Sequence, residues 1–191
     1  MLRALLLVFS MLLATVSQAD ERSAIRVVSA SLERSIVDDE WLLSADFRIP
    51  ASERLDAVLR TGATLRFVAE FELVRPRWYW LDERVVEKQQ AYRLSYHLLT
   101  NRYRLDTEGY IQQFAVLDDV LRALSQLRGW AVVRASELDA GLDYVARVRL
   151  QLESEQAANS FQIGNGGNKA LDIQGEWKRF TLNSPTPTSE R

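Results

Sequence analysis

Along three stretches, hydrophobic and polar side chains alternate with a period of two, the spacing of a strand with one dry and one wet face. In residues 64–74, Leu65, Phe67, Ala69, Phe71 and Leu73 share one face, while Arg66, Glu70 and Glu72 share the other. In residues 85–100, Tyr92, Leu94, Tyr96 and Leu98 alternate with Arg93, Ser95 and His97. In residues 143–153, Tyr144, Ala146, Val148, Leu150 and Leu152 alternate with Arg147, Arg149 and Gln151. Residues 25–34 and 41–49 flank the polar run Asp38-Asp39-Glu40 and predict an antiparallel hairpin that stops at Pro50. Short strands are expected at 103–105 and 110–114, around Gly109, and at 130–134.

Two stretches change to helical spacing. Ser52 is placed as an N-cap; Leu55, Val58 and Leu59 then fall on one face, and Gly62 sits where a C′ glycine belongs. From Val116, the residues Leu117, Val120, Leu121, Leu124 and Leu127 form one stripe opposite Asp118, Asp119, Arg122 and Gln126, which predicts a helix over 116–127 capped by Gly129. Residues 154–170 contain Gly164-Asn165-Gly166-Gly167-Asn168 and read as a loop. Residues 171–180 carry Ile173, Trp177 and Phe180 as a last strand or docked segment, and residues 183–191 read as a disordered tail. The expected fold is mainly β (α+β): an antiparallel β-sandwich-like domain over 20–182 with two short amphipathic helices. A single curved sheet with both helices on one face is the alternative.

The first residues stand apart. Met1-Leu2-Arg3, an apolar run over 4–16 and Ser17-Gln18-Ala19 before charged Asp20 have the layout of a cleavable signal peptide, residues 1–19. The run is shorter than the roughly 20 apolar residues of a spanning helix, which an uncleaved anchor would need. Export places the chain in the periplasm without a stable membrane anchor after cleavage. The chain has no cysteine, which excludes a lipoprotein anchor, disulfides, zinc–thiolate sites and cysteine catalysis. The remaining chain of about 170 residues is long enough to be held by its core. The formal net charge of −2 lacks the strongly basic balance of a nucleic-acid-binding domain.

Candidate chemistry is sparse. Arg75-Pro76-Arg77-Trp78-Tyr79-Trp80 is the most unusual segment, read as a continuation of the 64–74 strand that ends at Leu81-Asp82-Glu83. Guanidinium groups beside aromatic faces can stack on a sugar, a peptide or a lipid headgroup. The alternative is that the rings pack into the core while the arginines pair with Asp82 and Glu83. His97 is the only histidine, and a general base at neutral pH is most often histidine. It lies on a polar strand face without a G-x-S-x-G nucleophile motif. Asp82 with Glu83, or Asp38-Asp39-Glu40, would supply the carboxylate pair of a glycoside hydrolase. No calcium-loop spacing and no phosphate loop are present, so no metal and no cofactor are expected.

A further set of segments resembles the DUF4390 family of uncharacterised exported proteobacterial proteins. They are Phe71-Glu72-Leu73 running into Arg75-Pro76-Arg77-Trp78-Tyr79-Trp80-Leu81-Asp82-Glu83, then Leu94-Ser95-Tyr96-His97-Leu98-Leu99-Thr100 with Tyr103 and Leu105. Phe114 with Leu117-Asp118-Asp119-Val120-Leu121, Arg128-Gly129-Trp130, and Tyr144 with Arg147-Val148-Arg149-Leu150 follow. The resemblance covers residues 25–180 and departs near Asn159-Ser160-Phe161-Gln162, which keeps only the Phe-Gln of a family stretch. It implies export and a shared fold but no activity. The frequent encoding of such proteins near a two-component sensor kinase implies an accessory role. The resulting expectation is a non-enzymatic periplasmic domain that binds an envelope protein or glycan, with Arg75, Arg77, Trp78, Tyr79, Trp80 and His97 as binding candidates. The alternative is a hydrolase of cell-wall or sugar substrates using Asp82, Glu83 or His97.

Overall fold

The structure, a computed structural model, describes residues 24–35, 37–79, 81–139, 141–153 and 173–183. The expected signal peptide, the glycine-rich loop, the tail beyond residue 183 and Trp80 lie outside the described residues. In chain order the elements are β1 (Arg26–Arg34), β2 (Glu40–Arg48), α1 (Glu53–Arg60), β3 (Thr64–Arg75), β4 (Glu83–His97), β5 (Arg102–Thr107), β6 (Tyr110–Phe114), α2 (Leu117–Leu124), β7 (Gln126–Arg134), a 3₁₀ turn (Ala135–Glu137), β8 (Asp143–Leu152) and β9 (Lys178–Asn183).

Among the described residues the strands form two sheets, ordered β1-β2-β7 and β6-β5-β4-β3-β8-β9. Neighbouring strands in both are antiparallel. This is the mainly β, two-sheet arrangement that the alternation predicts, and the single curved sheet is set aside. Each helix lies at a change of sheet: α1 carries the chain from β2 to β3, and α2 carries it from β6 to β7. Because Thr64 pairs with Ser95 and Phe114 pairs with Tyr103, both helices attach at the end where β4 finishes. The fold therefore has a helical end and, opposite it, an end made of the β1–β2, β3–β4 and β7–β8 connections.

The inward faces of both sheets and the apolar faces of both helices join one hydrophobic cluster. Phe67, Phe71 and Leu73 of β3 and Tyr144, Val148 and Leu150 of β8 are fully or almost fully buried, as are Leu43 of β2 and Leu124 of α2. The buried residues among those described are apolar or tyrosine, so the stability of the cluster comes chiefly from apolar area, roughly 25 cal/mol per Å² removed from water. The opposite face of β3 and β8 carries cross-strand pairs. Arg149 sits opposite Glu70 in register and donates to it at 2.7 Å, and Trp177 lies 4.5 Å from the Arg149 guanidinium.

The helix N-terminus at Ser52 forms as expected: its hydroxyl accepts from the Leu55 N–H at 3.1 Å, a cap that contributes about 1 kcal/mol. Gly62 follows the helix at φ +87°, the left-handed conformation that glycine adopts without a Cβ penalty. The second helix is shorter than its stripe predicts. It stops at Leu124, and Leu127 belongs to β7, opposite Ala45. Strand β2 competes for this segment: the Phe47 N–H donates to the Ser125 carbonyl at 2.8 Å. Gly129 is consequently not a helix cap. At φ +61° it occupies the irregularity between the pairs Leu43–Trp130 and Ala45–Leu127, a glycine bulge that bends the strand.

The expected continuation of the β3 strand through Trp80 is also corrected. Arg75 is the last residue of β3 and pairs with Glu83, the first of β4. Pro76 has no N–H to extend the ladder, and Trp78 and Tyr79 lie in a turn.

Candidate functional site

The β3–β4 connection builds the most distinctive surface feature. Residues 76–79, 81 and 82 lie beyond the Arg75–Glu83 register pair, at the tip of the hairpin. Glu83 accepts from both Arg75 and Arg77. Arg75 also donates to Asp139 at 2.8 Å, which ties the tip to the β7–β8 connection, and Arg147 of β8 reaches Asp82 at 3.4 Å. Hydrogen bonds from Arg77 and then Arg75 hold the Glu83 carboxyl below the usual carboxylate range. The same contact with Glu83 raises the Arg75 guanidinium.

Above this clamped base the rings face water. Trp78 is 94% exposed, Tyr79 66% and Leu81 81%. Trp78 and Tyr79 meet edge to face, with centroids 5.1 Å apart and ring planes at 71°. The reading in which these rings enter the core is thus wrong for Trp78 and Tyr79; its arginine–acid pairing is present at Glu83, while Asp82 is paired with Arg147 of β8 instead. Single exposed apolar residues are ordinary, but neighbouring ones on one loop make this tip the candidate site.

His97 does not join this group. It closes β4, a strand of 15 residues that Glu83 opens. At about 3.3 Å per residue such a strand spans on the order of 45 Å. At its own end, the His97 Nδ1 lies 3.3 Å from the Thr100 N–H and 3.1 Å from the Thr100 hydroxyl. Asp82, Glu83 and His97 therefore do not share a cleft. Among the described residues no group of His, Cys, Asp and Glu is arranged to hold a metal ion.

The helical end holds a cluster that the sequence reading passed over. Arg60, at the end of α1, donates from Nε to Asp56 at 2.8 Å, from Nη1 to the Tyr96 hydroxyl at 3.1 Å and from Nη2 to the Tyr103 hydroxyl at 2.9 Å. The Tyr103 hydroxyl donates onward to Asp56, and Tyr96 donates to Asn101 at 3.1 Å. The guanidinium lies 4.7 Å from the centre of the Tyr96 ring. Burial acts to raise the Asp56 carboxyl, but the hydrogen bonds from Tyr103 and Arg60 outweigh it and the net shift is downward. Burial, reinforced by the bond to Asp56, pushes the Tyr103 hydroxyl up to about 12. Asp56, Arg60 and Tyr103 of this cluster line an open cleft of about 420 Å³, together with Ser52 and Glu53 at the start of α1 and Val116, Leu117 and Asp118 at the start of α2. They satisfy one another, so the cluster is a tether that fastens α1 to β4 and β5. The Asp56–Arg60 spacing was its only signal in the sequence, because both tyrosines come from distant segments.

No helix among the described residues is long and apolar enough to cross a membrane. The family described as a domain of unknown function, DUF4390, matches the chain over residues 22–181. Nothing among the curated proteins and nothing among the solved structures matches it.

Proposed function

The chain belongs to the DUF4390 family, and on that footing we propose that it is a non-enzymatic periplasmic binding protein, an accessory to envelope signalling, that engages another envelope component through its aromatic hairpin tip. The observation that carries this reading is the exposure of Trp78, Tyr79 and Leu81 on one projecting loop whose base is clamped by Arg75, Arg77 and Glu83. Exposed rings lose apolar contact with water only when something covers them, and a tip held in advance loses little conformational entropy on doing so. The periplasmic placement rests on the signal-like residues 1–19. A hydrolytic role for Asp82 and Glu83 with His97 has no geometric support, since β4 separates them.

A pull-down from envelope extract with the chain from Asp20 onward tests the reading. A component retained by the unchanged chain and lost with Trp78→Ala/Tyr79→Ala is expected. Equal recovery by the two, or recovery by neither, overturns it.

A further inference from the structure

The rings of the tip are exposed beside its ion-paired base, and its surroundings point to what covers them. We infer that the tip docks onto the surface of a lipid bilayer, a proposal that rests on the reading of the tip as the binding element.

The ring geometry disfavours a sugar. Trp78 and Tyr79 stand at 71° to each other, so they share no common plane and build no joint platform along which successive sugar rings of a glycan would stack. A bilayer interface makes no such demand; tryptophan and tyrosine collect there because their rings are apolar with one polar edge.

The charges give the second argument. Arg75 and Arg77 are paired with Glu83 and Asp139, and Asp82 is paired with Arg147. The base thus sets a self-neutralised polar collar behind the rings, level with headgroups when the rings enter the interface. It offers little net charge to select an acidic or basic partner.

The apolar groups do not end at the tip. Val37 in the β1–β2 turn is 90% exposed and Leu142 in the β7–β8 connection is 38% exposed. Both connections are fastened to the same end of the fold: the Ala135 N–H donates to the Asp39 carbonyl at 2.8 Å, and Arg75 holds Asp139. A bilayer covers apolar groups on adjacent connections without needing a separate pocket for each. Affinity for such a surface grows with the apolar area it buries.

Co-sedimentation of the chain from Asp20 onward, which contains every described residue, with phosphatidylcholine vesicles and with vesicles containing phosphatidylglycerol tests the inference. Binding to both is expected, with less than about a twofold change between low and high salt because the tip is self-neutralised. The Trp78→Ala/Tyr79→Ala/Leu81→Ala variant is expected to lose about tenfold in partitioning, whereas Leu99→Ala, at the far end of β4, leaves it unchanged. Failure to sediment with either vesicle, loss of binding at high salt, or equal sedimentation of the triple variant overturns the inference. Capture of an envelope protein or glycan through Trp78 and Tyr79 without vesicle binding removes the bilayer and leaves the proposed function standing. Loss of both removes both.

Discussion

Arg75 and Glu83 face each other as the outermost register pair of β3 and β4, and their side chains are joined by a hydrogen-bonded ion pair. The pair ends the ladder and starts the tip, so the tip is expected to loosen when it is broken. The Glu83→Gln variant removes the charge that both arginines share. Partly exposed ion pairs contribute little to global stability, so the midpoint of urea unfolding is expected to move only slightly. Amide exchange in residues 76–82 is expected to rise clearly, and hydrogen-exchange mass spectrometry reads the difference. Because the folded Glu83 carboxyl titrates below its ordinary value, the clamp is fully present above the unfolded carboxylate pKa. It is lost as pH falls through the lower, folded value. On acidification the protection factors of the tip amides, which are rates relative to intrinsic exchange at the same pH, are expected to fall in the unchanged chain and to show little further pH dependence in Glu83→Gln.

Gly175 crosses the backbone of β8 so closely that a Cβ there would sit 2.0 Å from the Leu150 carbonyl oxygen. The contact is to backbone, which cannot turn aside as a side chain does. Gly175 is also paired with Ile25, whose N–H and carbonyl bond the residues on either side of it. Gly175→Ala must displace this strap, and a loss of about 2–3 kcal/mol in urea unfolding is expected.

Tyr103 stands between Asp56 and Arg60, and Tyr103→Phe removes a donor from one and an acceptor from the other. A loss of about 1–2 kcal/mol is expected. Asp56 is held below its ordinary value, so its contribution is present above the unfolded pKa and is lost as pH falls through the folded one. The acid limb of the stability–pH curve is therefore expected to be shallower in Tyr103→Phe.

The alkaline limb tests the tyrosines directly. Tyr92 and Tyr103 are both pushed from 10.0 up to about 12, in each case chiefly by burial. A raised folded pKa gives stability that is fully present below the unfolded value and lost as pH rises through the folded one. Ultraviolet titration is expected to show these two ionising late, near pH 12. Stability is expected to fall as pH rises from the unfolded tyrosine value. Tyr92→Phe removes part of the late absorbance step.

Strand existence was legible where one face is wet and the other dry: β3 and β8 announce themselves because Phe67, Phe71, Val148 and Leu150 alternate with ionic residues on the other face. Ser52 and Gly62 bracket α1 for local reasons of capping and left-handed geometry. The end of α2 was ambiguous because Leu127 satisfies both the i+3 helical spacing from Leu124 and the alternation of a strand; pairing with Ala45, far away in sequence, decides it. The division of strands between sheets is carried by such distant pairings too. At the tip, Pro76 has no N–H for the ladder, a local signal that the reading of 75–80 as continued strand missed, and aromatic residues beside a strand resemble core until the tertiary fold shows them exposed. The link from Asp56 to Tyr103 spans 47 residues, a separation that periodicity does not reach.

The central claim, that the Trp78 tip is where this protein meets its envelope component, is tested most directly by photo-crosslinking in envelope preparations. A photoreactive phenylalanine analogue is placed at Trp78 or, as a comparison, at the equally exposed Leu99 near the other end of β4. An adduct formed from position 78 and absent from position 99 is predicted. Adducts of equal yield from both positions, or none from position 78, contradict the account.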